Sequence, residues 1–272
     1  MGMNALEVRL REGAERVDVL RLTDTLAQVK NALDEIDRVY QWKRSARPEW
    51  VVQSMAQRRG ELVIQITARE SRRREWPSLL IPVNALVTGV QRLQDVAEVP
   101  QYYTEGTVER LLKIGEPGRG LQEVSVATVN GKVGPHYPVS EMVRQHARSA
   151  VTGTQRSLGS VAGWLDAMSA RRAAKGLIVV GLFDPLTRRA VTGHLSTDMQ
   201  ETVEKFWRHR VLARGMVTRN ERGQVVRIQI EHLEGLPEDD SSRAPVSHVL
   251  ESDPEWLGGQ SVDDYLREAR RA

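Results

Sequence analysis

The order of periodic segments between residues 155 and 236 constrains the fold more tightly than any other feature of this chain. Residues 158–168 have a strand pattern but carry Gly159 and Gly163, where a missing side chain lets a strand bend sharply. Residues 177–183 are continuously apolar, Asp184-Pro185-Leu186-Thr187 reads as a turn, and residues 189–195 return as a third strand. Thr197 caps a short helix through Met199, Val203, Phe206 and Trp207. Residues 211–218 and 225–233 complete the set, joined at Asn220-Glu221-Arg222-Gly223. Three strands, a helix and two further strands make the order of a five-stranded OB-like β-barrel, with the helix between the third and fourth strands.

The residues ahead of this segment predict a different layer arrangement. Leu6, Val8 and Leu10 alternate with Glu7 and Arg9, the period of a half-buried strand, and residues 17–20 predict a second strand joined to it by a hairpin around Gly13. Thr23 is then expected to cap a helix that repeats Leu26, Val29, Leu33, Ile36 and Tyr40 on one face. Residues 50–56 and 62–68 read as strands around Arg58-Arg59-Gly60, and the arginine-rich stretch 71–76 as a solvated loop. Pro82 opens one helix and Thr104 another, Asn130-Gly131 marks a hairpin after the alternating run 121–129, and Ser140 starts a last helix. The chain is therefore expected to be α+β, with an N-terminal two-layer α/β sandwich (1–154), the OB-like barrel (155–236), and an acidic linker with a C-terminal tail helix (237–272).

Composition narrows the chemistry. There is no cysteine among the 272 residues, which removes disulfides, thiol catalysis and thiolate metal sites. Residues 1–15 lack the apolar segment of a secretory signal and no apolar run is long enough to span a bilayer, so a cytoplasmic protein without membrane contact is expected. The net charge of +3 conceals an asymmetry: residues 155–236 hold 13 Lys+Arg against 8 Asp+Glu, and residues 237–272 hold 4 Arg against 9 Asp+Glu. In an OB-like barrel the ligand crosses strands two and three, framed by the loops between strands one and two and between four and five. Those loops carry Arg171, Arg172 and Lys175, and Arg219 and Arg222, with Arg188 and Arg189 on the turn between strands two and three. Clustered cations of this kind track a nucleic-acid backbone, although the segment has few aromatic residues on which bases could stack.

The tail has its own pattern. Ser261 with Asp264 resembles a capping box, and the helix it opens is about ten residues, too short to stand alone in water. Trp256, Leu257, Tyr265 and Leu266 supply an apolar grip for a protein partner, with Arg267, Arg270 and Arg271 left to pair with its acidic groups. Catalytic signatures are missing: His136, His146, His194, His209, His232 and His248 show no metal-ligand spacing, no serine lies in a G-x-S-x-G elbow, and no glycine-rich phosphate loop occurs. A non-catalytic binding protein without a cofactor is expected, the other enzyme-class reading being a metal-dependent site built from dispersed carboxylates.

From Gly159 onward the motifs Gly159-Ser160-Val161-x-Gly163-x-Leu165, Phe183-Asp184-Pro185-x-Thr187-x-Arg189-x-Val191 and Asn220-x-x-Gly223 stand in order, followed by Gly258-Gly259-x-Ser261-x-Asp263-Asp264-Tyr265-Leu266. In these residues the chain resembles a group of bacterial proteins that neighbour small PIN-domain ribonucleases, departing from them in carrying Arg188 where they carry glycine. The resemblance implies an antitoxin-like role, in which the tail engages a ribonuclease toxin and Arg267, Arg270 and Arg271 approach its acidic metal-binding pocket as bidentate partners of carboxylates. Against it stands a reading from the barrel loops alone, a nucleic-acid-binding accessory or phage-defence component.

Overall fold

Leu6, Val8 and Leu10 are fully buried on one face of β1 (Asn4–Glu12), and the first sheet is built outward from that strand. The computed structural model describes residues 4–41, 47–69, 78–169, 174 and 176–237. On one side β1 pairs antiparallel with β3 (Glu61–Arg69), which forms a hairpin with β2 (Glu49–Arg58). The hairpin turns at Arg59 and Gly60, both at positive φ, as a two-residue turn between twisted strands requires. On the other side β1 pairs with β4 (Leu121–Asn130), which carries two short strands, β5 (Lys132–Val133) and β6 (Tyr137–Pro138). The order across the sheet is β2-β3-β1-β4-β5, with β6 also on β4.

Four helices cover the face that carries Leu6, Val8 and Leu10: α1 (Val19–Tyr40), α2 (Leu80–Asp95), α3 (Glu105–Gly115) and α4 (Glu141–Val151). Val29, Leu33 and Ile36 of α1, Leu86 and Val90 of α2, and Leu111 of α3 fill the layer between, each worth about 2 kcal/mol in area removed from water. Thr104 and Ser140 cap α3 and α4 as expected, Thr104 through a reciprocal box with Thr107. The start of α1 differs from expectation: residues 17–20 form no strand, and the helix begins at Val19 with Asp18 as its cap. Asp18 accepts the amide of Arg21 at 2.6 Å, and the Arg21 guanidinium donates to the carbonyls of Lys113, Ile114 and Glu116 at the end of α3. Of these carbonyls, that of Lys113 also accepts the Glu116 amide at 3.4 Å, and the arginine adds to it by tying the first turn of α1 to the last turn of α3. Thr23 lies inside the helix, its hydroxyl bonded to the carbonyl of Val19 at 2.9 Å.

The second sheet closes on itself. β7 (Gln155–Ser169), β8 (Leu177–Asp184), β9 (Arg189–Ser196), β11 (Val225–Gly235) and β10 (Arg210–Arg219) are hydrogen-bonded in that order, and β10 returns to β7. All neighbours are antiparallel except β9 and β11, which run parallel through Arg227↔Thr192 to Gln229↔His194. Gly163 lets β7 and β8 approach closely, since a Cβ there would stand 3.1 Å from the Phe183 carbonyl oxygen, and the irregularity of β7 falls later, between Leu165 and Ala167. Leu165, Ile178, Leu182, Leu195, Val211, Val217 and Ile228 fill the ring. A 3-10 turn at Thr197–Met199 and the short α5 (Gln200–Lys205) join β9 to β10, placing Val203 in the same core. Thr197 starts this stretch without a side-chain cap bond.

The molecule is thus a mixed α+β protein with five α-helices among its described residues. Both sheets belong to one compact unit that ends at Gly235. No helix among the described residues is long and apolar enough to cross a membrane.

Candidate nucleic-acid-binding groove

The two sheets meet through the turns of the ring, and that contact decides which basic residues face open space. Asn220, almost fully buried in the β10–β11 turn, donates to the Ala150 carbonyl at the end of α4 at 2.9 Å and accepts the amides of Arg222 and Gln224. Gln224 is bound on both sides of Val99, accepting its amide at 2.8 Å and donating to its carbonyl at 3.3 Å. This turn is therefore an anchor between the sheets. Arg219 donates to the Gly223 carbonyl across it, while Arg222 is exposed. The outer surface of β8 and β9 also stands against the first layer: a void of about 40 Å³ is lined by Glu35, Arg38 and Val39 of α1 on one side and by Gly181, Ala190 and Thr192 on the other. Arg227 of β11 pairs with Glu105 at the start of α3.

Arg188 and Arg189 occupy the turn between β8 and β9, which Asp184 shapes by accepting the Leu186 amide at 3.0 Å and the Thr187 hydroxyl at 2.7 Å. Both arginines are exposed, and neither has a carboxylate partner within 4 Å among the described residues. They line an open groove of about 920 Å³ whose other wall is α2 and the segment after it, including Asn84, Thr88, Arg92, Glu98 and Gln101. Arg92 is held by Glu98 at 3.1 Å. The groove accordingly carries a net positive charge, from three arginines against one carboxylate.

Aromatic rings fix the turn in place. The Tyr102 amide donates to the Arg188 carbonyl at 2.8 Å, and both residues adopt positive φ. Tyr102 stacks on Phe183 with ring centroids 6.2 Å apart, meets Tyr40 edge-on at 5.8 Å, and has the Arg188 guanidinium 5.8 Å above its ring. Burial pushes the Tyr102 phenol up, with the Arg188 charge opposing, so it stays neutral across the physiological range. Next to it, Tyr103 is fully buried and donates its hydroxyl to the Leu86 carbonyl at 2.8 Å. Adjacent tyrosines thus point to opposite sides, one into the core and one to the groove.

Of the residues expected to bind nucleic acid, Arg171, Arg172 and Lys175 lie outside the described residues, as do all those expected to bind a protein partner, Trp256, Leu257, Tyr265, Leu266, Arg267, Arg270 and Arg271. Arg188 and Arg189 come together on the groove, whereas Arg219 and Arg222 sit at the anchored turn and do not line it. Tyr40, Arg92 and Tyr102 were not foreseen: they belong to a helix face, a helix end and a loop far from the ring in sequence, and no local motif marks them.

Two further buried polar features lie outside the groove. On the sheet face away from the helices, the buried Glu7 accepts from Arg9 at 2.9 Å and from Gln65 at 2.9 Å, and His136 Nε2 lies 3.1 Å from Glu7 Oε1 without hydrogen-bond alignment. Burial pushes the Glu7 carboxyl up, but the Gln65 and Arg9 hydrogen bonds and the Arg9 charge together hold it below its ordinary value. Burial and the Arg9 charge keep the His136 imidazole below its own, hence neutral at pH 7, with Ser125 Oγ 3.5 Å from Nδ1. The second is Asp166, whose carboxyl burial pushes up to about 7, opposed by the charge of Arg38. Among the described residues no group of three His, Asp or Glu side chains is placed to hold a metal ion. The chain matches no family model, no curated protein and no solved structure.

Proposed function

We propose that this is a non-catalytic binding protein, that its closed ring is an OB-type barrel, and that the groove beside the β8–β9 turn takes a single strand of nucleic acid. The fold assignment is supported by strand order and direction: three antiparallel strands, a helical link after the third, and a fifth strand lying between the third and the fourth. One observation carries the functional reading. Arg188 and Arg189, without carboxylate partners among the described residues, open on a groove of about 920 Å³. Arginine prefers phosphate because its planar fork donates two parallel hydrogen bonds, and unpaired guanidinium groups give up no existing ion pair when phosphate arrives. The volume is at the upper end of the roughly 300–1,000 Å³ typical of ligand sites. Asn84, Thr88 and Gln101 add uncharged hydrogen-bonding groups along the wall, suited to base edges or sugar hydroxyls.

The test is fluorescence anisotropy with labelled single-stranded DNA and RNA oligonucleotides at two salt concentrations. The wild-type chain is expected to bind with affinity that falls as salt rises, because phosphate contacts release counterions. The double substitution Arg188→Ala/Arg189→Ala should weaken binding about tenfold or more and flatten the salt dependence by about 1.4 in log–log slope, about 0.7 per lost contact on a single strand. Binding that ignores the double substitution, or the absence of binding at low salt, would overturn the proposal.

A further inference from the structure

The first half of β7 is a strand with one partner. Residues 155–162 pair with β10 from Arg219 to Leu212, whereas β8 joins β7 only from Trp164 onward. Among the described residues, nothing pairs with the other edge of this eight-residue stretch. The six residues 155–160 are all exposed, and Leu158 at their centre is 75% exposed.

Natural edge strands are usually blunted by lysine, proline, a bulge or a covering loop, since an open row of amides and carbonyls recruits another strand. The stretch has none of the residue devices: it contains no lysine and no proline, and its single charge is Arg156. Its pairing with β10 is regular throughout, and the irregularity in β7 falls later, between Leu165 and Ala167.

We propose that this edge joins a second copy of the chain, β7 against β7 in antiparallel register, with Leu158 opposite Leu158 across a two-fold axis. The strand is complementary to itself in that register. Leu158 already lies beside Met216 of β10, so pairing creates an unbroken apolar row of Met216, Leu158, Leu158 of the second copy and Met216 of the second copy. One residue along, Ser157 faces Gly159 of the other chain, and two along, Arg156 faces Ser160. No like charges are directly opposed, the arrangement that would otherwise disfavour the pair. A closed point-group dimer results, because a two-fold uses the same patch on both chains and leaves no edge for a third. A partner of different chemistry would be selected by charge, and this edge offers a single arginine among uncharged residues.

Sedimentation velocity of the full chain over a wide concentration range tests the proposal. The wild type is expected to pass from monomer to dimer as concentration rises. Leu158→Lys should abolish the dimer while leaving thermal unfolding unchanged at protein concentrations where the wild type is monomeric, because the side chain it replaces is in solvent in the single chain. An equimolar mixture of Leu158→Lys and Leu158→Glu should dimerise where neither variant alone does. Since the chain has no cysteine, Leu158→Cys provides a direct readout: mild oxidation should give a covalent dimer, and Leu186→Cys, similarly exposed but on the β8–β9 turn, should not. A wild type that stays monomeric at every concentration, with this edge therefore unused or covered by the chain's own tail, overturns the proposal. So does a dimer that survives Leu158→Lys.

Discussion

Asp166 is a carboxylate that the fold would rather keep protonated. It stands at the irregularity between Leu165 and Ala167 on β7, its Oδ1 packed over Gly181 beside the small void shared with α1. In the unfolded chain it titrates near 3.8, and in the folded chain burial moves it to about 7. Between those values the folded state holds a proton that the unfolded state releases, so stability contributed by this residue is full below pH 4 and is lost as pH rises to about 7. The loss has an upper bound of about 4 kcal/mol at about 1.4 kcal/mol per pH unit. Asp166→Asn should therefore raise the urea midpoint at pH 8, leave it nearly unchanged at pH 4, and remove the slope between. Gly89 poses a different question at the same scale. Replacing glycine by alanine in a helix normally gains about 1 kcal/mol. Here the new methyl carbon would stand 2.4 Å from the buried Tyr103 ring, which has no room to retreat. Gly89→Ala should be destabilising by about 2 kcal/mol in thermal or urea unfolding, the overpacking term exceeding the propensity gain.

At the scale of the element, the most legible features were those whose cause is local. Thr104 and Ser140 cap helices because a short hydroxyl side chain can reach an amide three residues on, and Asn130-Gly131 turns because Gly131 accepts a positive φ. Residues 17–20 alternate like a strand but enter a helix at Val19, because alternation over four residues carries little information. The deciding contact there, Arg21 on the carbonyls that end α3, spans more than 90 residues and leaves no mark on its own neighbourhood. The β10–β11 turn repeats the lesson: Asn220 and Gly223 announce a turn, but not that Asn220 and Gln224 lock it to Ala150 and Val99. Asn220→Ala removes the bond to Ala150 and leaves the Arg222 and Gln224 amides without their acceptor. A loss of about 2 kcal/mol in urea unfolding is expected, the magnitude set by stranded buried donors rather than by the bonds alone.

For the whole molecule, the order of strands, including the helical link before β10, was readable because each segment announces its own period. The groove was not, since Tyr40, Arg92, Tyr102 and Arg188 meet only after the two sheets are joined. That joining predicts how the molecule unfolds. Gln224 on Val99, Arg227 on Glu105 and Phe183 on Tyr102 bind the ring to the helical layer at separate points. Heat should therefore produce one transition, coincident by far-UV and tryptophan signals, and Gln224→Ala should lower that transition without splitting it in two. Within the ring, however, resistance is uneven. β10 and β11 pair over nearly their whole lengths, with two register shifts, but β9 and β11 meet across three residue pairs. A hoop with one short seam yields there before anywhere else. Amides at the seam, around Thr192 and Ile228, should take up deuterium ahead of those between β10 and β11, marking the place where this molecule breathes.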